Sequence, residues 1–329
     1  MRGIVGSFLI ALFFLQGFLP VPAESHGEPM NSAFSLRWEN DTFGWTDANY
    51  TNGMSLALTR AGKGLLGGIW DLGGAAGGRK STVYELTQLQ FTPSDLTLIS
   101  PDPKDRPYAG LTYLACITHL QKDEILQSLK LIAGFVGPDS GAEEAQKVAH
   151  HILRENSPEG WPAQLRDEPV VNLLYEYRHR YRLTSRNGPF GAELIPMGGA
   201  YLGNYLLQAQ SEVLLRFGYH LPDDFGATSL RGIGYLPLPR MKNTDYSWGI
   251  NAYVRGGANM VFHNLTLDGN TFIHSRSVEK RLLVPMAEFG TALWTEKFLA
   301  TLSFQYWSRE FDFQPLREGY GSILFSFPF

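Results

Sequence analysis

Two histidines stand side by side at positions 150 and 151, and Gln146 precedes the first by four residues. An imidazole is well matched to neutral pH as a general base, so either ring could take a proton from an attacking water. A second group of polar residues lies far away in the chain: Glu39-Asn40-Asp41, then Asp47, then Tyr50-Thr51-Asn52-Gly53. The carboxylate of Asp41, the amide of Asn40 and the hydroxyl of Thr51 are oxygen donors of the kind calcium takes. Asn-Asp and Asn-Gly are also ordinary loop chemistry, and spacing alone does not choose between the two readings.

If these residues are to meet, local elements must carry them. Ser140-Gly141-Ala142-Glu143 reads as a capping box, with Ser140 as N-cap and Glu143 reaching back. Ala145, Val148, Ala149 and Ile152 then recur at helical spacing. A short amphipathic helix is therefore expected from 141 to about 154, its apolar stripe packed on the rest of the protein. His150 and His151 flank that stripe on opposite sides, so periodicity does not say which of them faces a site.

Elsewhere the period is two. Phe34, Leu36 and Trp38 alternate with Ser35, Arg37 and Glu39, while Tyr175, Tyr177 and Tyr181 interleave with Glu176, Arg178, Arg180 and Arg182. Ala300, Leu302, Phe304 and Tyr306 repeat the pattern, and the chain stops at an aromatic inside such a segment, Phe329. Segments of this kind are half-buried strands, and about twelve can be counted. The strands make the fold all-β, and an export signal, aromatics near segment ends and the final Phe favour a membrane barrel. The expectation is a twelve-stranded antiparallel transmembrane β-barrel with a short helix in an extracellular loop. A soluble β-sandwich is the alternative. Counted from an inner N-terminus, the connections at Thr42–Tyr50, Ser94–Tyr108 and Gly137–Pro169 fall on the outer side, with short turns expected inside. Strict alternation gives Asp41 and Thr51 the inward parity of Arg37, Glu39 and Ser55, facing one another across a hairpin. Asn40 takes the lipid-facing parity of Trp38.

Met1-Arg2 and the apolar run from Gly3 to Leu19, closed by Val21-Pro22-Ala23, read as a secretory signal cut at Ala23/Glu24. Residues 24–329 are then one barrel domain, expected in the bacterial outer membrane. Among 329 residues the net charge of -4 gives no electrostatic reason to bind nucleic acid. The lone Cys116 excludes an intramolecular disulfide framework and a Cys-based zinc site. No later stretch approaches the roughly 18 apolar residues of a spanning helix.

Asn40-Asp41, Tyr50-Thr51-Asn52-Gly53, Asp105-Arg106-Pro107-Tyr108-Ala109-Gly110, and the stretch from Val136-Gly137-Pro138 to Gln146-Lys147-Val148-Ala149-His150 resemble the bacterial outer-membrane lipid A 3'-O-deacylase family. The similarity runs from Leu36 to Phe329, and the Gly-Pro to Gln-x-x-x-His stretch is its most specific part. The resemblance implies hydrolysis of the 3'-linked acyloxyacyl ester of lipid A, with Ca2+ as cofactor and the lipopolysaccharide of the outer leaflet as partner. It implies catalytic roles for His150, Asn40, Asp41 and Thr51, the last three also serving as metal ligands. His150 is preferred to His151 because Gln146 stands four residues before it and Trp161 eleven after. Two departures are visible. Some members place Glu six residues after the histidine, where this chain has Asn156 beside Glu155, and a Lys-Arg pair after the third strand has no counterpart near Leu96 to Ser100. In the implied chemistry His150 is the base on a water and Ca2+ stabilises the oxyanion. A porin-like channel without catalytic activity is the rival reading.

Overall fold

The computed structural model describes residues 32–44, 49–72, 77–154, 158–184, 188–237, 247–314 and 318–329. The expected signal segment, its cleavage site, Asp47, Glu155 and Asn156 lie outside the described residues. The wall is built from β1 (Ser32–Asn40), β2 (Asn49–Ala61), β3 (Arg79–Thr92), β4 (Ala109–Lys122), β5 (Ile125–Val136), β6 (Glu168–His179) and β7 (Tyr181–Arg182). It continues through β8 (Phe190–Gly203), β9 (Leu206–Tyr219), β10 (Trp248–Asn264), β11 (Leu283–Thr295), β12 (Leu299–Trp307) and β13 (Glu318–Pro328). The short β7 pairs with β8 in the register already set by β6, so the two form one stave interrupted at Arg180. Every pairing is antiparallel between chain neighbours, and β1 pairs with β13 from Ala33↔Pro328 to Asn40↔Gly321. The result is a closed barrel of twelve staves with no free edge, as the sequence pattern leads one to expect.

The pleat sorts side chains as a bilayer requires. Inward positions carry Arg37, Glu85, Lys130, Glu176, Arg178, Glu193, Glu212, Arg216 and Arg255, all buried. Outward positions carry Leu114, Val171 and Phe217, which stay 65%, 57% and 60% exposed. In water that outer band would be an apolar patch far larger than soluble monomers tolerate; in lipid it is simply solvated. This inside-out arrangement removes the sandwich alternative. The buried charges are offset by pairing: Lys130 with Glu85 at 2.9 Å, Arg178 with Glu176 at 2.7 Å, Arg255 with Glu212 at 3.2 Å. Breaking one such pair from one side typically costs about 3–5 kcal/mol. No helix among the described residues is long and apolar enough to cross a membrane; the strands do the crossing.

The connections depart from the expectation of long outer loops and short inner turns. At the outer end, β8 and β9 are joined by Asn204 and Tyr205 alone. At the inner end, the β2–β3 connection carries a short helix, α1 (Ile69–Leu72), and the connection after β9 turns back into the lumen. There Pro222-Asp223-Asp224 opens a plug instead of a turn. Arg178 Nη1 donates to the carbonyls of Phe225 and Ala227, each at 2.9 Å, and Arg37 Nη2 to the hydroxyl of Thr228 at 2.8 Å. Wall arginines thus satisfy plug carbonyls that would otherwise be stranded in a dry interior. The outer end bears α2 (Ala142–Leu153) after β5 and a one-turn helix α3 (Leu265–Asp268) after β10.

Candidate active site on the outer wall

A β-bulge makes the site. Tyr50 pairs with Phe91 and Asn52 with Gln90, leaving Thr51 as the extra residue. Tyr50 turns into the lumen, where its hydroxyl donates to Glu39 Oε2 at 2.8 Å and its ring sits 5.4 Å from Phe91 and 4.7 Å from Tyr320. The phenol lies back over Gly53, where a Cβ would stand 2.0 Å from its oxygen, so any side chain there would displace the tyrosine. Thr51 is thereby sent to the other face, where its hydroxyl meets the hydroxyl of Thr92 at 2.6 Å. The inward parity expected for Thr51 is overturned, because the inserted residue shifts the alternation by one. Asn40 keeps the outward side and its Nδ2 donates to the Thr51 carbonyl at 3.0 Å. Its Oδ1 accepts from the Thr42 amide at 2.9 Å, holding the start of the 3-10 turn Asp41–Gly44. Asp41 itself is buried.

The outward face of β3 changes character toward this end. Tyr84 and Leu86 are apolar and exposed, but Gln88, Gln90 and Thr92 continue the same face as polar residues. On β4, Leu114 gives way in the same manner to Thr112 and Gly110. This polar patch is what α2 docks on. Gln88 Nε2 and Thr112 Oγ1 donate to the Ser140 carbonyl at 2.9 and 2.8 Å, and Gln90 Nε2 to the Ala142 carbonyl at 3.3 Å. At Gly110 a Cβ would come within 2.3 Å of both Ala142 Cβ and Ser140 Oγ, so the helix rests directly on the strand backbone.

Two expectations about α2 fail. Its N-cap is Gly141, in the left-handed region at φ 66, with no side-chain cap, because Ser140 ends a separate turn, Pro138–Ser140. Glu143 pairs forward with Lys147 instead of reaching back. Nor does the apolar stripe pack on the barrel: Val148 and Ile152 are 58% and 50% exposed. The wall beneath is glutamine, threonine and glycine, so the helix offers it small and polar residues, Ala142 and Gln146, and turns its apolar side away.

Gln146 is buried, and its Oε1 accepts from the Trp161 indole at 2.6 Å; Trp161 in turn lies 5.0 Å from the ring of Tyr108. The motif residues Tyr108, Gln146 and Trp161 therefore form the seat of the helix. One turn beyond Gln146, His150 is half-buried while His151 is exposed. The structure separates two histidines that periodicity left equivalent. Hydrogen bonds bring Asn40 to Thr51 and Thr51 to Thr92, and α2 docks on the neighbouring part of the same β3 face.

Among the described residues no three of His, Cys, Asp and Glu gather as a metal cluster. The rim supplies hard oxygens of another kind. Asn49, at φ 76 and paired with Thr92, buries its Oδ1 without a hydrogen-bond partner, and Asp41 adds a buried carboxylate. An orphaned amide oxygen, a carboxylate and paired hydroxyls suit a hard cation such as calcium. Asn49, Thr92, Gln88 and Gln90 were not singled out by motif. A legible signal existed for the β3 residues: three polar side chains in succession on a face that should meet lipid. A cavity lined by Arg37, Arg216 and Tyr253 lies elsewhere, in the inner half of the lumen.

Comparison with known proteins agrees with the architecture. A family model described as "Outer membrane protein LpxR" matches residues 8–329. The solved structure of LpxR from Salmonella typhimurium superposes with a TM-score of 0.74 at 15% identity, covering 90% of this chain and 100% of that one. The beta domain of the Bordetella autotransporter BrkA, at 11% identity and covering 91% of this chain and 99% of its own, reaches a TM-score of only 0.44. No curated protein sequence matches the chain.

Proposed function

The chain belongs to the LpxR family of outer-membrane proteins, and from that premise we propose that it is a lipid A deacylase that cleaves the 3'-linked acyloxyacyl ester. The observation that carries this reading is the polar patch on the lipid-facing side of the wall, roofed by α2. An ester whose acyl chains stay in the outer leaflet can reach such a patch without entering water. In this reading His150 takes the proton from an attacking water, Gln146 and Trp161 hold the helix that carries it, and Asn40 and Thr51 orient the ester at the wall. Asp41, Asn40 and Thr51 would hold a calcium ion, with Asn49 and Thr92 adjoining. The chemistry such an ion supplies when bound is positive charge against the carbonyl oxygen as negative charge develops there. The porin-like reading is disfavoured by the lumen, which the plug and buried ion pairs obstruct.

Mass spectrometry of lipid A from cells expressing the protein tests the reading directly. Loss of the mass of the 3'-linked acyloxyacyl group is the expected result. Unaltered lipid A alongside steady conductance in planar bilayers would favour the channel instead.

A further inference from the structure

The outward turn of Thr51 depends on Tyr50, and Tyr50 is held from inside the lumen. Part of that hold comes from the tip of the plug. The Leu230 amide donates to Glu39 Oε1 at 3.1 Å, the same carboxylate whose other oxygen accepts from Tyr50. The Leu230 side chain packs in one buried cluster with Tyr50, and the Arg231 guanidinium lies 5.6 Å from the Tyr50 ring centre and 4.1 Å from that of Trp307. Arg231 also pairs with Glu310, which stands 3.7 Å from Arg106, so the tip is clamped at the outer end of the barrel.

We propose that this plug tip, Leu230 and Arg231, is a positioning element for the patch on the opposite side of the wall. By seating Tyr50 in the lumen it fixes the bulge, and the bulge aims Thr51 at Thr92. The physical reason is that a strand has two ways to run here. Regular alternation would give Thr51 the inward parity of Ser55 and Tyr50 the outward one; only a firm seat for the tyrosine makes the bulged register the lower in free energy. Among the described residues Leu230 and Arg231 meet Glu39, Tyr50, Trp307 and Glu310, and it is through Tyr50 that they bear on the bulge. The functional meaning rests on the active-site reading above; the geometry does not.

Cross-linking tests it without recourse to activity. In the full chain carrying Cys116→Ser, which removes the sole native thiol, Thr51→Cys and Thr92→Cys place two thiols where the hydroxyls touch. Mild oxidation in outer-membrane preparations should form the disulfide readily, since bridging demands that close, facing geometry. Adding Leu230→Ala with Arg231→Ala should slow bridging at least about tenfold, while boiled and unboiled samples still migrate differently as a folded barrel does. Arg231→Lys alone should bridge at close to the parental rate. If the double variant does not fold, Glu39→Gln, which puts an amide donor in place of one of the carboxylate oxygens that accept from Tyr50 and Leu230, decides by the same measure. A bridging rate indifferent to the tip in folded barrels, or no bridge in the parent, overturns the proposal. Tip-dependent bridging, with lipid A left intact by the protein carrying native Thr51 and Thr92, would uphold the positioning and discard the deacylase reading; deacylation by that native-site protein with tip-independent bridging in the cysteine variant would do the reverse.

Discussion

His150 and His151 differ by one position and by what surrounds them. Because His150 is half-buried on the Gln146 side of α2 and His151 is exposed, His150→Ala should lower deacylation about 10²-fold or more, and His151→Ala should change it little. Equal losses in two folded variants would mean that the base lies elsewhere. At the rim, Asp41→Ala should abolish both activity and calcium binding measured by calorimetry, and chelation of the wild type should act as the substitution does. Activity that survives in chelator would remove the metal from the mechanism. His150, Asn40, Asp41 and Thr51 could all be named from sequence, but the facing of Thr51 could not. Alternation is a rule about uninterrupted strands, and nothing in Tyr50-Thr51-Asn52-Gly53 announces a bulge until Gly53 is known to lie beneath the Tyr50 phenol.

At the scale of elements, α2 was legible as a helix and misread as a surface. The periodicity of Ala145, Val148, Ala149 and Ile152 marks an apolar face, and the rule that such a face packs inward assumes water outside. Around a barrel the surroundings of the wall are lipid, a medium in which an apolar side turned away from the wall needs no cover and a polar side does. Docking depends on Gly110 instead. Gly110→Ala sets a methyl within 2.3 Å of Ala142 and Ser140, which should lift the helix at a cost of about 1–3 kcal/mol to its docking. The expected result is lost deacylation with intact heat-dependent gel migration and faster proteolysis within 141–154. Activity equal to the wild type would show that α2 need not rest on β4.

For the whole molecule, the barrel class and the stave count could be read in the chain because period-two alternation recurs from strand to strand, although β3 and β4 depart from polar-in, apolar-out at their outer ends. The plug could not be, since its anchors are set by wall arginines distant in sequence. Those anchors carry a pH signature at the inner end. Burial pushes the carboxyls of Glu124 and Asp223 up, but Arg180 and Arg182 outweigh it and hold both below the usual range. A carboxyl lowered on folding contributes stability that is present above its unfolded pKa, about 4, and lost as the pH falls through its folded value. Thermal stability should therefore drop below about pH 4, and Arg182→Gln should flatten that drop, modestly because Glu124 is partly exposed. A pH profile unchanged by Arg182→Gln would place the acid-sensitive groups elsewhere.

The polar patch lies on the convex side of the wall, so whatever binds there arrives sideways, by diffusion within a two-dimensional film. Its effective concentration is then a mole fraction among neighbouring amphiphiles, not a molarity. Diluting the target with inert detergent at constant volume should slow the encounter, whereas diluting the whole suspension with buffer should leave it unchanged. Substrate and both products can enter and leave along the same plane, and the lumen stands apart from that traffic.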